Sequence, residues 1–215
     1  MALIKSISGI RGTIGGNVGE ALTPVDAVRF AAAYGTWLKE NNSGKLKVVI
    51  GRDARISGRM ISDLVVSTLV GLGIDVVNLN LSTTPTVEVA VPMEKAHGGI
   101  ILTASHNPKQ WNALKLLNSK GEFISGEEGQ RVLEIAEADA FSFAEVDDLG
   151  SVTNNDTYLQ KHIDAVLALP LVDKKAIEAA DFSVVVDAVN STGGIFVPAL
   201  LEALGVKKIT RLYCE

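Results

Sequence analysis

The 215 residues hold 20 Lys and Arg against 25 Asp and Glu, for a net charge of −5, with 47% hydrophobic side chains. This is an ordinary globular profile with enough length for a sizeable core; its acidic balance argues against non-specific nucleic-acid binding, so any cationic site must be local. One cysteine, Cys214, rules out an intrachain disulfide and fits a reducing, cytoplasmic compartment, and no apolar run reaches signal-peptide or membrane-span length.

Thr23-Pro24 predicts a helix start, with the hydroxyl as cap and proline in the first turn, running to about Glu40 before Asn41-Asn42-Ser43-Gly44 breaks it. Leu46 to Ile50 reads as a strand ended by Gly51. Ser57-Gly58 opens a second helix that stops near Leu72-Gly73, and Ile74 to Leu79 is the next strand. Thr83-Thr84-Pro85 reads as structural support at another helix start. Gly99 to Leu102 is a short apolar strand, Thr103 to Asn112 a polar loop, and Ala113 to Leu117 the following strand. Ser125-Gly126-Glu127-Glu128 has the capping-box pattern and opens a helix to about Asp139. The alternation implies parallel pairing with right-handed crossovers: an α/β fold with a mixed, mostly parallel sheet sandwiched by helices.

Ser142 to Asp156 loses periodicity and is read as a boundary, giving one α/β/α domain over 1–150 and the start of a second similar α/β domain over 151–215. A weak internal repeat supports this. Val48-Val49-Ile50-Gly51 leads through a helix to Leu72-Gly73-Ile74, and Val184-Val185-Val186-Asp187 leads through a helix to Leu204-Gly205-Val206. One such unit cannot cover both faces of a sheet, so the chain is expected to be cut inside its second domain.

Chemistry is expected in Thr103-Ala104-Ser105-His106-Asn107-Pro108, a loop at the carboxyl end of a strand, where open α/β sheets gather ligands. Ser105 is a candidate nucleophile and His106 a neighbouring donor; the plain alternative is a capped turn. A serine-hydrolase relay is disfavoured by the missing Gly-x-Ser-x-Gly elbow and acid partner. Ser8-Gly9-Ile10-Arg11-Gly12 supplies an arginine whose planar fork suits phosphate. Gly51-Arg52-Asp53-Ala54-Arg55-Ile56-Ser57-Gly58 lies between a strand and a helix: Arg52 and Arg55 can offset an anion, and Asp53 can orient an arginine or belong to a structural ion-pair network. Asn112-Ala113-Leu114-Lys115 adds a lysine able to neutralise charge or act as acid or base. Asp187 to Gly194 fits neither the P-loop nor the dinucleotide fingerprint. The histidines His97, His106 and His162 lack metal-ligand spacing.

The Thr103–Pro108 string resembles the active-site serine loop of the α-D-phosphohexomutases, the family of phosphoglucomutase, phosphomannomutase and phosphoglucosamine mutase. The Arg11, Arg52–Ser57 and Asn112–Lys115 motifs resemble that family's motifs in the same order, with Lys5-Ser6-Ile7 where many members carry Phe-Gly-Thr and Ala113 in place of a glycine. The resemblance implies that Ser105 is the phosphoserine and Arg11, Lys115 and His106 its catalytic neighbours, with Arg52, Arg55 and Asn107 binding substrate or phosphate. It implies intramolecular transfer between the 1- and 6-positions of a hexose phosphate of glucose or mannose type, through a hexose 1,6-bisphosphate intermediate and activator. Phosphoglucosamine mutase chemistry is the alternative, and a non-catalytic phosphate-ester-binding domain the alternative of another class. It also implies one Mg²⁺, held here only by Ser105 through its phosphate, since the family's Asp-Gly-Asp-x-Asp loop is absent from the sequence. The partner would be a small hexose phosphate, with no nucleic acid or membrane; substrate choice and oligomeric state stay open.

Overall fold

The computed structural model describes residues 2–6 and 9–215, so Ile7 and Ser8 of the first motif lie outside the described residues. Its elements are β1 (Leu3–Ser6), β2 (Gly9–Thr13), α1 (Pro24–Asn41), β3 (Lys47–Arg52), α2 (Gly58–Gly71), β4 (Asp75–Leu81), α3 (Thr84–Met93), β5 (Gly98–Leu102), β6 (Trp111–Leu117), α4 (Gly126–Glu137), β7 (Val152–Asn154), α5 (Tyr158–Leu167), α6 (Lys174–Ala179), β8 (Ser183–Asp187), α7 (Gly193–Ala203) and β9 (Lys208–Leu212).

Local chemistry explains several boundaries. Thr23 caps α1 and Ser125 caps α4, each in a reciprocal capping box with Asp26 and Glu128 respectively. Thr83 caps α3 through the Thr86 N–H. Ser57 precedes α2 without capping it; its hydroxyl instead accepts from Asn112 Nδ2 at 2.9 Å, tying that helix start to β6. Strand β3 does not end at Gly51 but pairs on through Arg52, opposite Leu102, and β6 begins at Trp111, inside the stretch read as loop.

One seven-stranded sheet has the order β1-β2-β6-β5-β3-β4-β7. Strands β5, β3, β4 and β7 pair in parallel, while β6 is antiparallel to both β5 and β2. Strand β2 therefore runs with the parallel set, and only β6 and β1 oppose it. Side chains alternate between faces. Ile50, Ile100, Leu102 and Leu114 face α1, α2 and α4; Val49, Ile101 and Leu117 face Val87 and Val91 of α3 and Tyr158 of α5. This is the α/β/α sandwich that the sequence pattern implies.

The segment from Ser142 to Asp156 is not wholly irregular. Its β7 pairs in parallel with β4, so the first sheet draws its edge strand from beyond residue 150. Three exposed residues are too short to show a period of two, which hid this strand from the sequence. The repeat has a physical counterpart: β3–α2–β4 and β8–α7–β9 are both parallel crossover units. Both helices close with a left-handed glycine, Gly73 at φ 80° and Gly205 at φ 92°. The N–H groups of Ile74 and Val206 reach back to Leu69 and Leu201 in the same way. The β8–β9 pair stands as a separate two-stranded sheet, with Val185 65% exposed.

Candidate active site

The serine loop leaves the carboxyl end of β5 and returns as β6. Asn107 N–H donates to the Ala104 carbonyl at 3.1 Å, closing a tight turn with Ser105 at its tip. Ser105 has φ 55°, a left-handed conformation that costs a non-glycine residue about 1–2 kcal/mol and must be enforced by its surroundings. Both Ser105 and His106 are exposed.

The enforcing group is Arg55, in the β3–α2 connection. Its Nε donates to Asp53 Oδ2 at 3.1 Å. Nη1 donates to the carbonyls of Pro108 at 2.9 Å and Trp111 at 3.0 Å, and Nη2 to those of Ser105 at 2.7 Å and Asn107 at 2.8 Å. These contacts use all five guanidinium N–H groups. Arg55, expected to bind substrate or phosphate, here has its donors engaged by the loop carbonyls and Asp53. Asp53 orients it, accepting the Arg55 backbone N–H on Oδ1 at 3.0 Å. Asp53 Oδ2 also accepts from Thr103 Oγ1 at 2.7 Å, and that hydroxyl oxygen accepts the Ser105 N–H at 3.2 Å. The structural ion pair and the orienting role, alternatives in the sequence, are here the same interaction.

Arg11 enters from β2, opposite Ala113 of β6, and donates from Nη1 to Asn107 Oδ1 at 3.3 Å. Its approach depends on Gly9: a Cβ there would lie 2.1 Å from the Leu114 carbonyl oxygen, and φ is 109°. Ser105 Oγ and His106 Nδ1 stand 3.5 Å apart, too long for a strong bond, and among the described residues no carboxylate hydrogen-bonds His106. That pair is no hydrolase relay.

Among the described residues, the side chains of Lys115 and Arg52 make no hydrogen bond to the serine loop. Lys115 shares the face of Ile101 and Leu117, with Nζ 5.7 Å from the Phe123 ring centroid. Glu88 of α3 feels it: burial pushes the Glu88 carboxyl above the ordinary carboxylate range, and Lys115 partly opposes that shift. Arg52 Nη1 donates to the Asp53 carbonyl at 3.1 Å. It also lines a cavity of ≈ 390 Å³ between the β4–α3 loop and α5 and α7, which the serine loop does not border. Among the described residues, Arg11, Arg52 and Lys115 make no ion pair.

Residues 3–143 match the family model described as phosphoglucomutase/phosphomannomutase, alpha/beta/alpha domain I. The chain belongs to this family. Among curated relatives it is 35% identical to a phosphoglucomutase/phosphomannomutase of Thermococcus kodakarensis, over 93% of this chain and 43% of the relative. It is 28% identical to a phosphoglucosamine/phosphogalactosamine mutase of Sulfurisphaera tokodaii, over 98% and 44%. A solved chain from Thermus thermophilus, assigned as a phosphomannomutase, superposes with TM-score 0.80 at 28% identity, over 99% of this chain and 46% of its own. The chain thus spans less than half the length of these relatives. For the Mg²⁺ that the family implies, no three His, Cys, Asp or Glu side chains converge among the described residues, and both Asp53 oxygens are occupied. These residues do not by themselves fit a magnesium site.

Proposed function

We propose that this chain supplies the phosphoryl-carrying serine of a hexose-phosphate mutase acting between the 1- and 6-positions of glucose- or mannose-type sugars. The observation that supports it most is the serine loop itself: an exposed hydroxyl on a turn held in a strained, fixed conformation at the carboxyl end of β5. A mere binding loop needs no nucleophile so held. In the first half-reaction a sugar hydroxyl oxygen attacks the phosphorus on Ser105. The new O–P bond forms, the Oγ–P bond breaks with its electron pair returning to Oγ, and the hydroxyl proton passes through a base to the departing Oγ. After the 1,6-bisphosphate turns, Ser105 Oγ attacks its other phosphorus, and the leaving sugar oxygen takes up a proton.

Positioning and charge neutralisation are what such a transfer requires. A phosphoserine carries about −1.5 to −2 charge at neutral pH. In this reading Arg11 and Lys115 meet that charge, Lys115 also handles a proton, and Arg52 and Asn107 contact phosphate or sugar. His106 stays a polar neighbour. The name of the Sulfurisphaera relative supports amino-sugar phosphates as the second substrate reading. Within the proposal, the chain divides near residue 150 into two α/β units, with β7 lent to the first sheet, and the single Cys214 suits the cytoplasm.

The test is phosphoryl labelling and turnover in the complete mutase polypeptide. Label from a hexose 1,6-bisphosphate should appear on Ser105, and Ser105→Ala should lose both label and nearly all turnover, since no other group holds the phosphoryl between half-reactions. Label mapping to another residue, or wild-type turnover in Ser105→Ala, would refute it.

A further inference from the structure

Arg55 spends every side-chain donor on the serine loop and its anchor, Asp53. Four of its five contacts go to carbonyl oxygens, those of Ser105, Asn107, Pro108 and Trp111. The side chain that collects them is only 11% exposed, so the carbonyls are drawn toward the protein interior. Among the described residues there are no cis peptide bonds. In a planar trans peptide the N–H points opposite to the C=O. The Ser105 carbonyl shares its peptide with the His106 N–H, and the Pro108 carbonyl with the Lys109 N–H. Those two N–H groups therefore face away from Arg55, toward the solvent side where Ser105 itself is exposed. Among the described residues neither forms a hydrogen bond, whereas the Ser105 and Asn107 N–H groups are used inside the loop.

Outward N–H groups that converge on one region are anion donors, and they act best when fixed before the charge arrives. The net charge of the clamp is small, because Asp53 balances Arg55 at 3.1 Å. Its contribution is orientation rather than attraction. We infer that Arg55 is the positioning residue of the phosphoryl-transfer loop: by drawing the carbonyls inward it presents the His106 and Lys109 N–H groups to the phosphoryl group on Ser105. This rests on the reading of Ser105 as the carrier.

Lysine cannot replace arginine here. An ammonium has three donors at one point, and the guanidinium fork spans two carbonyl pairs and a carboxylate at once. In the complete mutase polypeptide, Arg55→Ala and Arg55→Lys should each lower kcat by about 10²-fold, with KM changed much less, because the group aligns the reacting loop without touching the sugar. Millimolar guanidinium chloride, far below denaturing levels, should restore kcat of Arg55→Ala and leave Arg55→Lys unchanged, since the lysine fills the space. The same pattern should appear in the rate at which Ser105 takes up label from labelled glucose 1,6-bisphosphate. Circular dichroism checks that Arg55→Lys is folded. A folded Arg55→Lys with wild-type kcat, or an Arg55→Ala whose loss is not rescued or falls on KM, would overturn the inference. No label on Ser105 in the wild type would instead sink the carrier reading and leave these outcomes distinguishable.

Discussion

Replacing Asp53 by Asn tests the electrostatic anchor beneath the serine loop while barely changing its shape. The carboxylate accepts three hydrogen bonds, from the Arg55 backbone N–H, Arg55 Nε and Thr103 Oγ1. An amide keeps one oxygen and turns the other into a donor that faces an N–H group, so at least one contact becomes repulsive. Hydrogen bonds to charged groups contribute about 1.5–3 kcal/mol, and breaking a buried ion pair costs about 3–5 kcal/mol. Asp53 and Arg55 are 15% and 11% exposed, so water screens the pair partly and the loss should be about 2–3 kcal/mol. For a chain of this size that lowers Tm by about 4–12 °C. Scanning calorimetry measures it, and the shift should persist at high salt, because a largely buried pair is weakly screened. A melting temperature within about 1 °C of wild type would mean that the Asp53–Arg55 pair carries no such anchor.

Burial also sets three further outcomes. Glu88 has its pKa raised by burial, against the pull of Lys115, so the native state holds that proton more tightly than the unfolded chain; stability is whole below the unfolded value of about 4.3 and falls as pH rises through the folded one. Glu88→Gln should therefore raise Tm at neutral pH, with the gain vanishing near pH 4; an equal gain at both pH values would contradict the assignment. His162, 7% exposed and bonded through Nδ1 to Thr86 Oγ1 at 3.0 Å, has its pKa lowered by burial. Stability should be whole above about pH 6.5 and drop as pH falls through the folded value, and His162→Gln should flatten that part of a Tm–pH curve. Gly9→Ala adds positive-φ strain to a clash with the Leu114 carbonyl, at about 2–4 kcal/mol, and should displace Arg11 as well; a chemical-denaturation midpoint equal to wild type would refute it.

Much of the fold was legible because its signals are local. Thr23 with Asp26 and Ser125 with Glu128 announce helix starts in four residues, and Leu-Gly announces a helix end because only the glycine adopts the left-handed turn cheaply. The serine loop was legible from its position after an apolar strand. What escaped the sequence was pairing that depends on distant partners. Strand β1 is largely exposed and exists by its register with β2, and β7 is three residues laid along β4. The role of Arg55 escaped for a different reason. Its partners are backbone carbonyls, which every residue possesses, so no side-chain pattern marks them; only Asp53, two residues before it, gave a hint.

Under the proposed function, this allocation of arginines reconciles an acidic composition with a phosphorylated serine. A cation placed beside a phosphoserine attracts it whether or not the geometry is right, and a loop that moves toward its cations loses alignment. Here the two tasks fall to different side chains. Arg55, neutralised by Asp53 and saturated by carbonyls, shapes the loop without competing for the phosphoryl group. Arg11 reaches the same loop through a single 3.3 Å bond to Asn107 and makes no ion pair among the described residues, so its remaining donors are free to meet an incoming anion. Arg11→Lys should then weaken phosphate contact while leaving Tm near wild type, and Asp53→Asn should do the reverse in emphasis, loosening the fold first. Finding both substitutions to act equally on Tm and on phosphoryl uptake would show that shaping and attraction are one function shared by the cluster.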